Sequence, residues 1–136
     1  MFGVIQYSMV LQRLPETHRN VIRHWLAFTE KHRDTLQLGT FRPYHPELNY
    51  PFIEAESAAE RIQAVYLDSY LVKTGAPDRP VYVVNATLRK GVAVSLAAPA
   101  QVECFDVYGV SQGRRQYDAG FVEIPVPPSG YARIGW

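Results

Sequence analysis

The sequence predicts a mainly β fold: an antiparallel β-sandwich of about eight strands, preceded by one long N-terminal α-helix. Three observations carry that expectation. One early stretch, and only one, spaces its apolar residues at helical intervals: Val21, Ile22, Trp25, Leu26, Phe28, Thr29 and Leu36 form a broad stripe. After Gly39 the period changes, and short extended runs recur about every ten residues with turn signals between them. Tyrosine (9) and proline (10) are both plentiful, and many of the prolines fall between those runs, where a strand must end.

Taken in order, residues 1–13 are apolar with little period (Phe2, Val4, Ile5, Tyr7, Met9, Val10, Leu11), which suits a strand or a segment lying against a neighbour. Leu14-Pro15-Glu16 reads as a helix start. Proline at the first helical position loses only an N–H that would be unpaired, and Glu16 faces the positive end of the helix dipole. Lys31, His32 and Arg33 approach the C-terminal end and Gly39 supplies the stop, so the helix spans Pro15 to Leu38. Pro43, Pro46 and Pro51 prevent it from continuing. The strands are drawn from Ile53–Glu56, Arg61–Leu67, Tyr70–Thr74, Val81–Asn85, Gly91–Leu96, Val102–Tyr108, Arg114–Tyr117, Phe121–Val126 and Tyr131–Trp136. Alternation supports them: Val92, Val94 and Leu96 share one face, and Ile62, Ala64 and Tyr66 share another. The organisation is therefore an N-terminal segment and helix over 1–39, then a sandwich over 40–136.

Bulk properties narrow the function classes. At 136 residues the chain suits a single domain with one core. Basic residues number 14 and acidic 13, so charge gives no reason to expect nucleic acid or an anionic membrane as partner. No apolar run approaches the roughly 20 residues that span a bilayer. The N-terminus lacks the basic region and cleavage site of a signal peptide. One cysteine, Cys104, excludes an internal disulfide framework. Together these lead to a cytoplasmic location.

Four motifs invite chemistry, and each has a plainer reading. Gly109-Val110-Ser111-Gln112-Gly113 matches the G-x-S-x-G nucleophile elbow. The elbow needs a strand before the serine and a helix after it, and a histidine later in the chain. Here Arg114–Tyr117 continues as strand, and His18, His24, His32 and His45 all precede the serine, so a hairpin loop is preferred. The helical histidines lie six and eight apart, not the three or four that bring two ligands to one ion, so no metal or cofactor is expected. Glu54, Glu56 and Glu60 are an acidic cluster, but glycosidic chemistry needs two carboxyls across a pocket. Residues 54 and 56 point the same way along one strand, which reads as a solvated face. Asn85-Ala86-Thr87 is a glycosylation sequon that reads better as the polar end of a strand. Tyr44, Tyr50, Tyr66, Tyr70, Tyr108, Tyr117, Tyr131 and Trp136 could stack on sugars only if several were coplanar and exposed.

The stretches Phe2-Gly3-Val4-Ile5-Gln6-Tyr7-Ser8-Met9, Leu14-Pro15-Glu16, His24-Trp25-Leu26-Ala27-Phe28, His32-Arg33-Asp34-Thr35-Leu36, Gly39 and Phe41-Arg42-Pro43 resemble the C-terminal end of large glycoside hydrolases of the α-galactosidase (melibiase, family 36-like) type. Tyr50-Pro51, Ala64-Val65-Tyr66 and Val84-Asn85-Ala86 look like strands of the same terminal domain. The resemblance implies the last helix of a TIM barrel running into a terminal antiparallel β-sandwich, a non-catalytic accessory that supports the barrel. The family's catalytic aspartates sit on barrel strands, and a barrel takes about 250 residues, so the resemblance places no catalytic residue on this chain. It implies a structural or accessory role in carbohydrate metabolism. The alternative is a freestanding carbohydrate-binding or oligomerisation module, and a small independent enzyme is the least favoured class.

If the barrel is the missing partner, the helix stripe Val21, Ile22, Trp25, Leu26, Phe28 and Leu36, with the segment Phe2–Leu11, is the place where a replacement contact forms. A two-fold homodimer through these segments is one outcome. Folding of residues 1–38 back across the sandwich is the other.

Overall fold

The computed structural model describes Ser8 and residues 10–136. Most of the expected N-terminal contact segment, including Phe2, Val4, Ile5, Tyr7 and Met9, lies outside them. A short 3-10 turn at Leu11–Arg13 leads to α1 (Glu16–Lys31) and α2 (Arg33–Leu38). Ten strands follow: β1 (Thr40–Tyr44), β2 (Phe52–Glu56), β3 (Arg61–Val65), β4 (Leu71–Lys73), β5 (Val81–Asn85), β6 (Val92–Leu96), β7 (Ala100–Phe105), β8 (Ser111–Tyr117), β9 (Gly120–Ile124) and β10 (Tyr131–Gly135). The fold is mainly β, sandwich-like, with its main helix ahead of the strands. Among the described residues no helix is long and apolar enough to cross a membrane.

The single helix expected from Pro15 to Leu38 is two helices. The break falls at His32 (φ −105°, ψ 18°), whose N–H still bonds the Phe28 carbonyl while its own carbonyl accepts from Leu36. Gly39 ends α2, but not through left-handed backbone, since its φ is −72°. Its backbone is extended (ψ 174°), and glycine is required there for close approach: a β-carbon would collide with the Thr35 carbonyl oxygen and come within 2.6 Å of the Glu56 carbonyl oxygen.

Two sheets form the sandwich. The larger has the order β1-β2-β3-β5-β10-β7-β8, and the smaller β4-β6-β9. The expectation of a wholly antiparallel sandwich is corrected at two places, because β3 pairs with β5 and β4 with β6 in parallel. The cause is connectivity. From β3 to β7 the chain changes sheet at every strand, so a strand that leaves and returns comes back in its first direction. Strand β1 was missed in the sequence because Pro43 interrupts its pattern. It survives as an edge strand, where a missing N–H costs little, and Pro43 pairs opposite Ile53.

Two cores result. Between the sheets lie Phe52, Val65, Val72, Val81, Val83, Val92, Val94, Leu96, Val102, Ile124, Val126 and Ile134, all buried. On the outer face of the large sheet, Phe28 and Leu36 bury against Ala55, Ile62, Ala64, Tyr82, Val84 and Tyr131, with Trp25 packed alongside. Strands β3 and β5 are covered on both faces, and every residue in each is buried. This second core joins residues on both sides of the expected boundary at 39/40, so helix and sandwich share one packed unit.

Candidate functional site

Of the stripe expected to await a partner, Phe28 (4% exposed) and Leu36 (5%) are instead buried in the chain's own core, and Trp25 packs against it. Those three residues follow the folding-back outcome. The sheet receives them on a face where β3 and β5 present Ile62, Ala64 and Val84, with Tyr82 packed edge-on against Phe28. The other flank of α1 is not covered by the described residues. Val21 and Ile22 are half-buried and Leu26 is 42% exposed. With Leu11, Ile22 and Leu26 border a groove of about 250 Å³, edged by Arg19 and Arg23.

The helix is fastened by a buried polar clasp. His32 Nδ1 lies 2.8 Å from both oxygens of Glu60. Thr35 donates its hydroxyl to Glu60 (2.8 Å), which leaves Ser57 to donate to Thr35 (2.8 Å), while Ser57 accepts the Ala59 N–H. A carboxylate against Nδ1 fixes the proton on that nitrogen. Burial lowers the His32 pKa, against the opposing pull of Glu60. The constellation of serine, histidine and carboxylate is nevertheless no nucleophile relay. Ser57 bonds to Thr35 and not to the imidazole, whose ring is packed between Phe28 (4.3 Å) and Tyr82 (4.5 Å).

Glu54 and Glu56 are not the solvated face expected of them. Both lie on the inner face of β2, where Glu54 is buried, in a ladder of charges across β1, β2 and β3. Arg42 reaches Glu54 (3.2 Å) and Glu56 (2.6 Å), Arg61 donates to Glu56 (2.9 Å) and Gln63 to Glu54 (2.8 Å). Arg79 adds a weaker pair to Glu56 at 3.4 Å. Hydrogen bonds from Arg42 and then Arg61 hold the Glu56 carboxyl below the usual carboxylate range. A glycosidase acid needs the opposite shift and an open face toward substrate. The ladder instead neutralises the end of the inter-sheet core, and only the buried Gln63 Oε1 lacks a partner in it.

The G-x-S-x-G segment is a loop that enters strand β8. Asp106 accepts the Tyr108 and Val110 N–H groups, and Ser111, already in β8, donates to Glu103 at 2.9 Å. No helix follows, as the hairpin reading expected. Asn85 is fully buried. Its amide donates to the Arg89 and Val126 carbonyls (2.8 and 2.9 Å), and its oxygen accepts from Thr87, so the sequon nitrogen is committed inside the fold. Among the described residues no group of three or more His, Cys, Asp or Glu is placed to hold a metal ion.

The aromatics go to different places. Tyr44 and Tyr70 close the end of the inter-sheet core around Phe52, Tyr131 lies under the helix, and Tyr50, Tyr66 and Tyr108 are exposed. Trp136 borders a groove of about 400 Å³ on the outer face of β7, β8 and β10, which the helix leaves uncovered. Sequence reasoning missed the residues that line it with Trp136: Gln101, Glu103, Gln116 and Arg133. A signal existed in the polar alternation of β7 (Gln101, Glu103), but only the register that sets Gln101 opposite Gln116 and Glu103 opposite Arg133 assembles them.

Comparison with protein-family models, with curated proteins and with solved structures returned no match.

Proposed function

We propose that this chain is a non-catalytic β-sandwich module of the kind that ends α-galactosidase-type glycoside hydrolases, and that it serves a catalytic barrel as structural support in carbohydrate metabolism. The observation that carries the reading is the two-sided use of α1. One side, through Phe28 and Trp25, is sealed into the sheet, while the opposite flank keeps an apolar groove at Leu11, Ile22 and Leu26. A second apolar edge on a helix already packed against its own sheet suits a further partner. The condition of the carboxylates agrees, since Glu54, Glu56 and Glu60 are held by arginine, glutamine, threonine and histidine partners. The reading carries with it a cytoplasmic site of action, and Cys104, buried and free, suits a reducing compartment. Self-association through the same flank is the second reading, because the groove that would seat a barrel would equally seat a second copy.

The test is an assay of the pure protein on nitrophenyl α- and β-glycosides. No turnover above a blank is expected. Turnover that disappears when one carboxylate is neutralised would overturn the non-catalytic reading.

A further inference from the structure

We infer that the outer face of strands β7, β8 and β10 is a binding site for a neutral saccharide, with Gln101, Gln116 and Arg133 as its hydrogen-bonding groups and Trp136 as its apolar wall. The site lies on the sheet, away from the α1 flank, and does not rest on the docking reading above.

Four observations lead there. The groove holds about 400 Å³, and a second recess of about 220 Å³ adjoins it at Arg133 and Trp136, which line both. That size falls within the roughly 300–1,000 Å³ of small-molecule clefts. Next, Gln101, Gln116 and Arg133 are all exposed, and none of their side chains makes a hydrogen bond or ion pair among the described residues. Arg42, Arg61 and Arg114, by contrast, also strand arginines, are tied to carboxylates. The backbone under them is held in register: Gln101 pairs with Gln116 on one side and Gly135 on the other, and Arg133 pairs with Glu103. Finally, the indole is oriented, since Trp136 Nε1 donates to the Ala98 carbonyl at 3.3 Å while the side chain stays 39% exposed.

The chemistry of the ligand follows from what is free. Two carboxamides each offer one acceptor and two donors, the complement of vicinal hydroxyls that both donate and accept. Arg133 adds donors. The carboxylates at the margins are already satisfied, Glu103 by Ser111 and Arg114, and Asp78 by Arg79. The uncommitted set is therefore mostly neutral, and Glu103 beside Arg133 offsets its charge, so the site favours polyhydroxyl over anion. Gly135 lets the ligand approach the β10 backbone, since a β-carbon there would meet nothing within 4 Å, and Trp136 with Pro99 offers apolar surface to sugar C–H groups.

The experiment is NMR titration of the ¹⁵N-labelled protein with lactose, maltose, cellobiose, sucrose and melibiose, each to about 20 mM, a range that captures millimolar affinity. The side-chain amides of Gln101 and Gln116 and the indole N–H of Trp136 are expected to shift together with at least one of these sugars. The double variant Q101A/Q116A and the single variant R133M, all at exposed positions, are expected to weaken that sugar about tenfold or more, a loss of about 1.4 kcal/mol. The variant I22D, on the helix flank, should leave it unchanged. No shift with any of the five sugars, or shifts that survive Q101A/Q116A, would overturn the site. So would a response to sulfate or glucuronate in place of the neutral sugars, which would make Arg133 an anion site.

Discussion

His32 Nδ1 stands 2.8 Å from both carboxylate oxygens of Glu60, and this contact pins the break between α1 and α2 to the turn that joins β2 and β3. Both partners are little exposed, with side-chain values of 2% and 14%. Replacing Glu60 by glutamine keeps an acceptor for the imidazole but removes its charge, and should cost about 1–2 kcal/mol. His32→Ala opens a cavity beside Phe28 and strands the carboxylate, and should cost about 2–4 kcal/mol. Urea unfolding followed by circular dichroism measures both. Equal, near-zero effects would mean that the helix is held by its apolar contacts alone.

The same burial sets a pH dependence. His24 and His32 both have pKa values lowered from the usual 6.5, chiefly by desolvation. Below pH 6.5 the unfolded chain takes up these protons first, so the folded state loses stability as pH falls toward the lowered values. Stability should thus be level between about pH 8 and 7 and decline as pH falls below about 6.5. A second decline should begin below pH 4.5, where the lowered Glu56 carboxyl is protonated first in the unfolded chain. Thermal melts from pH 8 to 4 check this, and His32→Gln should remove part of the first decline.

Gly109 has left-handed backbone (φ +78°), and a β-carbon there would collide with the His24 ring. That ring stacks on Tyr131 at 5.9 Å, so it is not free to retreat. Gly109→Ala should cost about 2–4 kcal/mol, part from backbone strain and part from the clash. The clash is separable by a double-mutant cycle: with His24→Ala in place, Gly109→Ala should cost at least about 1 kcal/mol less. Additive losses would show that strain alone acts.

Asn85 anchors the turn after β5 to the β9–β10 connection, donating to Arg89 and Val126 while accepting from the Thr87 N–H and hydroxyl. Asn85→Ala would strand several buried carbonyls and should cost about 3 kcal/mol or more. Asn85→Asp, of the same shape, should be nearly as harmful, because a carboxylate cannot donate to those carbonyls. Comparable stability of Asn85→Asp and the parent in urea would contradict that account.

The sequence made some of this legible and hid the rest for physical reasons. Val81–Asn85 was placed to the residue because its apolar run is bounded by Pro80 and the polar Asn85. The helix start was legible to within one residue from Leu14-Pro15-Glu16, although Pro15 is the extended N-cap (ψ 150°) and not the first helical residue, so α1 begins at Glu16. Sheet membership was not: alternation tells that a strand has two faces, not which sheet receives it, so the parallel pairs β3–β5 and β4–β6 were invisible. Strand β1 was hidden by Pro43. Glu54 and Glu56 read as solvated because nothing in their own segment shows that Arg42, Arg61 and Arg79 converge on them. The groove at Trp136 was hidden for the same reason, since its residues come from three strands.

The docking claim has one direct measurement: co-expression of this chain with an α-galactosidase-type barrel whose own terminal sandwich has been deleted, followed by co-purification and assay. The account predicts a one-to-one complex, soluble active barrel only when the chain is present, and loss of both in the variant I22D/L26D with the sandwich itself still folded. A chain that neither binds nor rescues the barrel, or that does so equally well with Ile22 and Leu26 replaced by aspartate, would contradict it. A homodimer by light scattering that I22D/L26D dissolves would transfer the flank to self-association.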